Sequence, residues 1–140
     1  MNLEMTVELK GKLFTLKGAP LRDAGHQTVQ TLVEMGEQRL DQVLRPRPAG
    51  VFLSVSEAQK GKASTGHYRR NVNGKVNGLN GRISDGGVLY GPWLEGVGSR
   101  NETTRFKGYG SFRRTAQELQ KMVPQVLGRH LDRAIKELNS

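Results

Sequence analysis

Two amphipathic stripes, Val29 to Leu44 and Leu119 to Leu138, flank a glycine-rich middle with no helical period. Each stripe needs an apolar surface to cover it, and this demand constrains the fold more than any other feature. In the first stripe Val29, Leu32, Val33, Gly36, Leu40, Val43 and Leu44 share one face, while Glu34, Glu37, Gln38, Arg39 and Asp41 mostly take the other. The pattern predicts a helix from about Leu21 to Leu44. Arg45-Pro46-Arg47-Pro48 stops it, because each proline disfavours helix in the residue before it. Gly36 lies on the apolar face, at a cost of about 1 kcal/mol in helix propensity against Ala, and predicts close approach of another backbone. The second stripe comprises Leu119, Met122, Val123, Val126, Leu127, Leu131, Ile135 and Leu138. Thr115-Ala116-Gln117-Glu118 fits a capping box and predicts a helix start near Thr115. Pro124 predicts a kink near Lys121 or a split.

Between and before the stripes the period changes to two. Leu3, Met5, Val7 and Leu9 alternate with Glu4, Thr6 and Glu8, which predicts a half-buried strand. Lys10-Gly11-Lys12 turns or bulges it, Leu13-Phe14-Thr15-Leu16 continues apolar, and Gly18 and Pro20 end the segment. Val51, Leu53 and Val55 alternate within Gly50 to Ser56, a further short strand, and Glu57 to Gly66 reads as a polar, basic loop. Tyr68 to Val76 and Arg82 to Leu89 read as two strands joined through Asn77-Gly78-Leu79-Asn80-Gly81, whose Asn and Gly residues tolerate positive φ. Asp85-Gly86-Gly87 predicts a second turn or bulge, and the stretch from Val88 to Leu94 an ordered strand carrying Trp93. Proline cannot donate to a sheet, so Tyr90-Gly91-Pro92-Trp93 reads as a strand end or edge. Residues 96–110, with glycines at 96, 98, 108 and 110 among Arg100, Arg105 and Lys107, read as a long mobile loop. The expected fold is one α+β domain over 1–140, a mostly antiparallel sheet packed by two amphipathic helices.

The 140 residues suit one core, and an apolar share of 35% with 18 glycines makes it a modest one. Without cysteine there is no disulfide and no thiolate metal site. The N-terminus lacks the basic flank and apolar run of a secretory signal, and no stretch approaches the ~20 apolar residues of a membrane span. The net charge of +9 is concentrated: residues 45–114 hold thirteen basic and four acidic side chains, whereas residues 1–44 hold five and six. Such a patch can attract nucleic acid or an acidic protein surface, or can simply be a solvated face.

Catalytic patterns are missing. His26, His67 and His130 have no partner at metal-ligand spacing, and His26 and His130 read as polar-face or boundary helix residues. Gly61-Lys62-Ala63-Ser64 hints at a phosphate loop, but the motif needs a glycine where Ser56 stands. There is no Gly-x-Ser-x-Gly elbow. The expectation is no enzyme, no catalytic residue, no cofactor and no metal.

One stretch is distinctive. Tyr90-Gly91-Pro92-Trp93-Leu94-Glu95-Gly96 is followed by Gly98-Ser99-Arg100-Asn101-Glu102-Thr103-Thr104-Arg105-Phe106-Lys107-Gly108-Tyr109, then by Phe112-Arg113-Arg114. Upstream lies Thr65-Gly66-His67-Tyr68-Arg69-Arg70. These motifs resemble the tail-completion or neck family of long-tailed DNA bacteriophages, the group that includes the minor tail protein Z of phage lambda, and most closely its members from phages of actinobacteria. The likeness covers about 30 residues in motif and nearly the whole chain in layout. Residues 45–64 are longer than close relatives would have and suggest an exposed, phage-specific arm.

The resemblance implies a virion protein, assembled in the host cytoplasm, that forms a ring of six subunits at the head–tail junction. Its partners would be further copies of itself, a head-completion or stopper ring above, and a terminator or tube ring below. Tail terminator and head-to-tail connector are close alternatives. Non-specific contact with DNA in a central channel is a further expectation. One interface is expected at Tyr90, Trp93, Arg100, Arg105, Phe106, Lys107, Arg113 and Arg114, and the opposing one at Glu34, Glu37 and Asp41. An alternative of another class is a small nucleic-acid-binding protein using Tyr68, Phe106 and Tyr109 among basic residues.

Overall fold

A computed structural model describes residues 3–11, 14, 19–44, 67–89, 91–98, 100–103 and 107–139. The elements in order are β1 (Glu4–Glu8), α1 (Ala19–Val43), α2 (His67–Asn71), β2 (Asn73–Asn77), β3 (Asn80–Ser84), α3 (Gly91–Glu95), α4 (Arg100–Thr103) and α5 (Ser111–Leu138). The fold is α+β: a three-stranded antiparallel sheet of order β1-β3-β2 packed against the two long helices α1 and α5.

The first helix forms where its stripe requires. Val29, Leu32, Val33 and Leu40 are buried against the sheet and α5, and each such side chain contributes roughly 1.5–3 kcal/mol of hydrophobic burial. Pro20 sits in the first turn, where its missing N–H has no helical partner to lose. Thr28 is fully buried and returns its hydroxyl to the Ala24 carbonyl at 2.8 Å. Gly36 admits side chains, and not a neighbouring backbone as its position suggested: a Cβ there would press on Ile83 from β3 and Leu119 from α5. Gly36→Ala should therefore gain about 1 kcal/mol in helix propensity and lose about 1–3 kcal/mol to overpacking. A net loss in urea unfolding is the expected outcome.

The sheet keeps the expected alternation of β1, with Met5 buried and opposite Ile83 of β3. The hairpin is tighter than its sequence suggested. Asn77 pairs with Asn80 and Val76 with Gly81, which leaves only Gly78 and Leu79 in the turn, Gly78 at φ +58°. The strand expected to start at Tyr68 starts at Asn73. Tyr68 lies in α2, buried, and its hydroxyl donates to Asp85 at 3.2 Å. The strand expected to reach Leu89 ends at Ser84, because Gly86 and Gly87 both take positive φ. Asp85 anchors that turn. Its Oδ1 accepts the amides of Gly87 at 2.9 Å and Leu3 at 3.2 Å, so one buried carboxylate joins β1, α2 and the turn after β3.

The last helix starts at Ser111, four residues before the expected capping box. Thr115 is inside it and buried, and Glu118 reaches Arg39 of α1 at 2.7 Å instead of the helix end. Pro124 does not split the helix, which is assigned without a break to Leu138. The stripe is covered only in part. Leu119 and Val126 are buried, Met122, Val123, Leu127 and Leu131 are half-buried, and Ile135 and Leu138 are exposed. His26 and His130 behave as boundary residues: His26 Nδ1 lies 2.7 Å from the Gly78 carbonyl and His130 Nε2 lies 3.0 Å from Thr31 Oγ1. Burial, with Arg133 and Arg129 nearby, holds His130 below the ordinary histidine range. The strand expected at Gly50 to Ser56, the loop Glu57 to Gly66 and the arm 45–64 lie outside the described residues, as do most of 12–18, Phe14 excepted, which is buried.

Candidate interaction surface

The distinctive stretch does not begin as a strand. Gly91-Pro92 opens the single-turn helix α3, in which proline again stands at a helix start, and the Gly91 amide donates to the Val88 carbonyl at 2.9 Å. Leu94 is buried, and Trp93 is half-buried against the core cluster. The close approach that Gly91 makes to the Asp85 carboxylate leaves no room for a Cβ.

The described parts of 96–110 are tied down, contrary to the expected mobile loop. The amides of Gly96, Val97 and Gly98 all converge on the Pro92 carbonyl at 2.9–3.1 Å. Asn101 is buried, donates from Nδ2 to the Trp93 carbonyl at 2.9 Å and accepts the Gly98 amide at 3.0 Å. The Lys107 ammonium donates to the Asn101 carbonyl at 2.7 Å. The returning chain is sewn to α3 by Tyr109 N–H to Leu94 O (2.7 Å) and Gly110 N–H to Glu95 O (3.1 Å). Gly96 and Gly108, at φ +102° and +91°, cross with their backbones in contact. Tyr109 is half-buried, and that burial raises its phenol above the ordinary value.

Glu95 closes the unit. Its Oε2 accepts the Phe112 amide at 2.9 Å and its Oε1 the Arg113 amide at 2.8 Å, while Gly110 precedes α5 in the left-handed conformation with no side-chain cap of its own. A carboxylate at a helix N-terminus satisfies orphan amides and meets the positive end of the helix dipole. Removing it in Glu95→Ala should lower stability by about 1–2 kcal/mol, by analogy with loss of an N-cap. Urea unfolding followed by circular dichroism measures this, and an unchanged midpoint contradicts it.

What remains outward is basic and partly apolar. Lys107, Arg113 and Arg114 are exposed, Leu89 is 97% exposed, and Val97 is 59% exposed. Of the other residues expected here, Tyr90, Arg105 and Phe106 lie outside the described residues, and Arg100 is placed at the start of α4 without a described side chain. Of the three aromatics of the nucleic-acid reading, Tyr68 is 2% exposed and has no face open for a base to stack on.

The acidic set sits on the far side of α1 from its stripe. Glu34 is exposed, Glu37 lies over Gly74 of β2, and Asp41 Oδ1 is 3.6 Å from Arg69 Nε. Glu37, Asp41, Arg69 and Val72 line a polar hollow of about 360 Å³. Among the described residues no group of three or more histidines and carboxylates could hold a metal ion, and no helix is long and apolar enough to cross a membrane. Comparison with family models, with curated proteins and with solved structures found no match to this chain.

Two features here were not anticipated from sequence: the Asp85 anchor and the Glu95 cap. Glu95 lies sixteen residues before Ser111 in the chain, so no local capping pattern could reveal it. Asp85-Gly86-Gly87 signalled a turn but not the three donors that meet there.

Proposed function

We propose that this chain is a structural subunit of a long-tailed phage particle, forming a homo-oligomeric ring at the head–tail junction that completes the tail and joins it to the head. The observation that carries the proposal is the outer surface of the motif-bearing stretch. A clasped, hydrogen-bonded unit displays Leu89 and Val97 beside Lys107, Arg113 and Arg114. Exposed apolar side chains rimmed by charge on a fixed support are the composition of a protein interface. The residues that build the unit, Gly91, Leu94, Glu95, Gly96, Gly108 and Gly110, are the ones that carry the family resemblance.

A closed ring needs a heterologous contact, one face of a subunit against a different face of the next. The acidic side of α1, with Glu34, Glu37 and Asp41, is the complementary face. Opposite charge favours head-to-tail packing over self-pairing. The neighbours of the ring would be a stopper or connector above and a terminator or tail tube below, with the tail terminator and the stopper as alternative positions for this chain. DNA passing through the channel is a further contact for the basic residues.

Native mass spectrometry of the purified chain, alone and mixed with the products of neighbouring structural genes, tests this. A hexamer, or a higher assembly formed with those partners, is expected. A monomer or dimer in both conditions that instead retards single-stranded DNA at low salt favours the nucleic-acid-binding reading and sinks the ring.

A further inference from the structure

The sheet order leaves β1 at an edge. Its register with β3, with bonds from the Leu9 amide to Leu79 O (2.9 Å) and from the Asp85 amide to Leu3 O (3.0 Å), puts the odd-numbered residues in the hydrogen-bonded pairs. The amides and carbonyls of Glu4, Thr6 and Glu8 therefore point outward, and among the described residues no strand lies beyond them. Beside that edge, a cleft of about 310 Å³ opens between β1 and α5, walled by Val7, Leu9, Leu32, Leu119 and Val123 among others. A row of outward backbone groups next to an apolar cleft is what an added strand requires: the backbone pairs, and alternate side chains fill the cleft. The opposite edge offers no such cleft, since the hollow near β2 is lined by Glu37, Asp41 and Arg69.

We propose that Gly50–Ser56 of the same chain seats on this edge as a fourth strand, its Val51, Leu53 and Val55 covering the cleft. Three observations select it. Gly50-Val51-Phe52-Leu53-Ser54-Val55-Ser56 carries no charge, so it meets an apolar wall without burying an ion. Its alternation matches the two-residue period of β1. Nine residues separate Leu53 from Leu44, a reach of about 30 Å when extended, against a radius of gyration of about 14 Å for a folded chain of this length. The inference is independent of the ring reading.

Amide hydrogen exchange on the full chain reads the edge directly. The amides of Glu4, Thr6 and Glu8 are expected to be protected, and Leu53→Asp to speed their exchange by about 10-fold or more. Met5 and Val7, paired with β3, stay slow in both and report that the variant is folded. Rapid exchange of the three edge amides in the wild type overturns the proposal, as does equal protection in the variant, which would assign the edge to some other occupant. The absence of cysteine permits a covalent test: Thr6→Cys combined in turn with Phe52→Cys and Ser54→Cys. A disulfide within one chain is expected from at least one pair. No bond, or bonds only between chains, overturns it.

Discussion

Gly108→Val should unfold this protein more effectively than any single truncation in its core. At φ +91° a β-branched residue costs about 1–3 kcal/mol. The added Cβ would also press on the backbone of Gly96 and Glu95, which cannot swing aside as a side chain can, adding about 1–3 kcal/mol. The expected loss is roughly 3–5 kcal/mol, a large part of the 5–15 kcal/mol that holds a typical domain. The damage reaches further than its site. The Gly96–Gly108 crossing sets the Leu94–Tyr109 and Glu95–Gly110 bonds, and these place the Glu95 carboxylate over the start of α5. Urea titration should show an earlier midpoint, and hydrogen exchange should show lost protection first at Phe112 and Arg113. Wild-type stability would mean that the crossing is not a constraint.

The double reversal Arg113→Glu/Arg114→Glu should leave the fold intact and abolish assembly. Both side chains are exposed, and negative charge in the first turn of a helix is favourable by about 0.3–1 kcal/mol. Folding therefore has little reason to suffer. The proposed contact with an acidic face is reversed into repulsion, which weakens as salt rises. Circular dichroism should match the wild type, while phage carrying the variant should yield heads and tails that do not join. Normal yields of infectious particles would remove this surface from the interface.

The two long helices were legible in sequence because a 3.6-residue period over more than twenty positions leaves no alternative. The first strand and the hairpin were legible for the matching reason at a period of two. Errors gathered where tertiary partners override local pattern. Tyr68 looked like a strand residue, yet its hydroxyl is drawn to Asp85. Thr115 looked like a cap, yet Glu95 supplies the cap from another element and frees Thr115 to be buried inside α5. Gly91-Pro92 looked like a strand end, because proline excludes a residue from a sheet and opens a helix equally well. The glycines at 96, 108 and 110 looked like a sign of mobility. They are where backbones cross or turn left-handed, positions a Cβ would block. The far end of the α5 stripe, Ile135 and Leu138, carried the right spacing but extends past the core that would cover it.

The central claim is that many copies of this chain meet face to different face around an axis. A reconstruction of the assembled phage particle, with this chain traced at the neck, tests it most directly. The account predicts six copies in a closed ring at the head–tail junction, with Lys107, Arg113 and Arg114 of each copy meeting Glu34, Glu37 and Asp41 of the next. A lone copy, copies related only by twofold contacts, or a particle without the chain would contradict it.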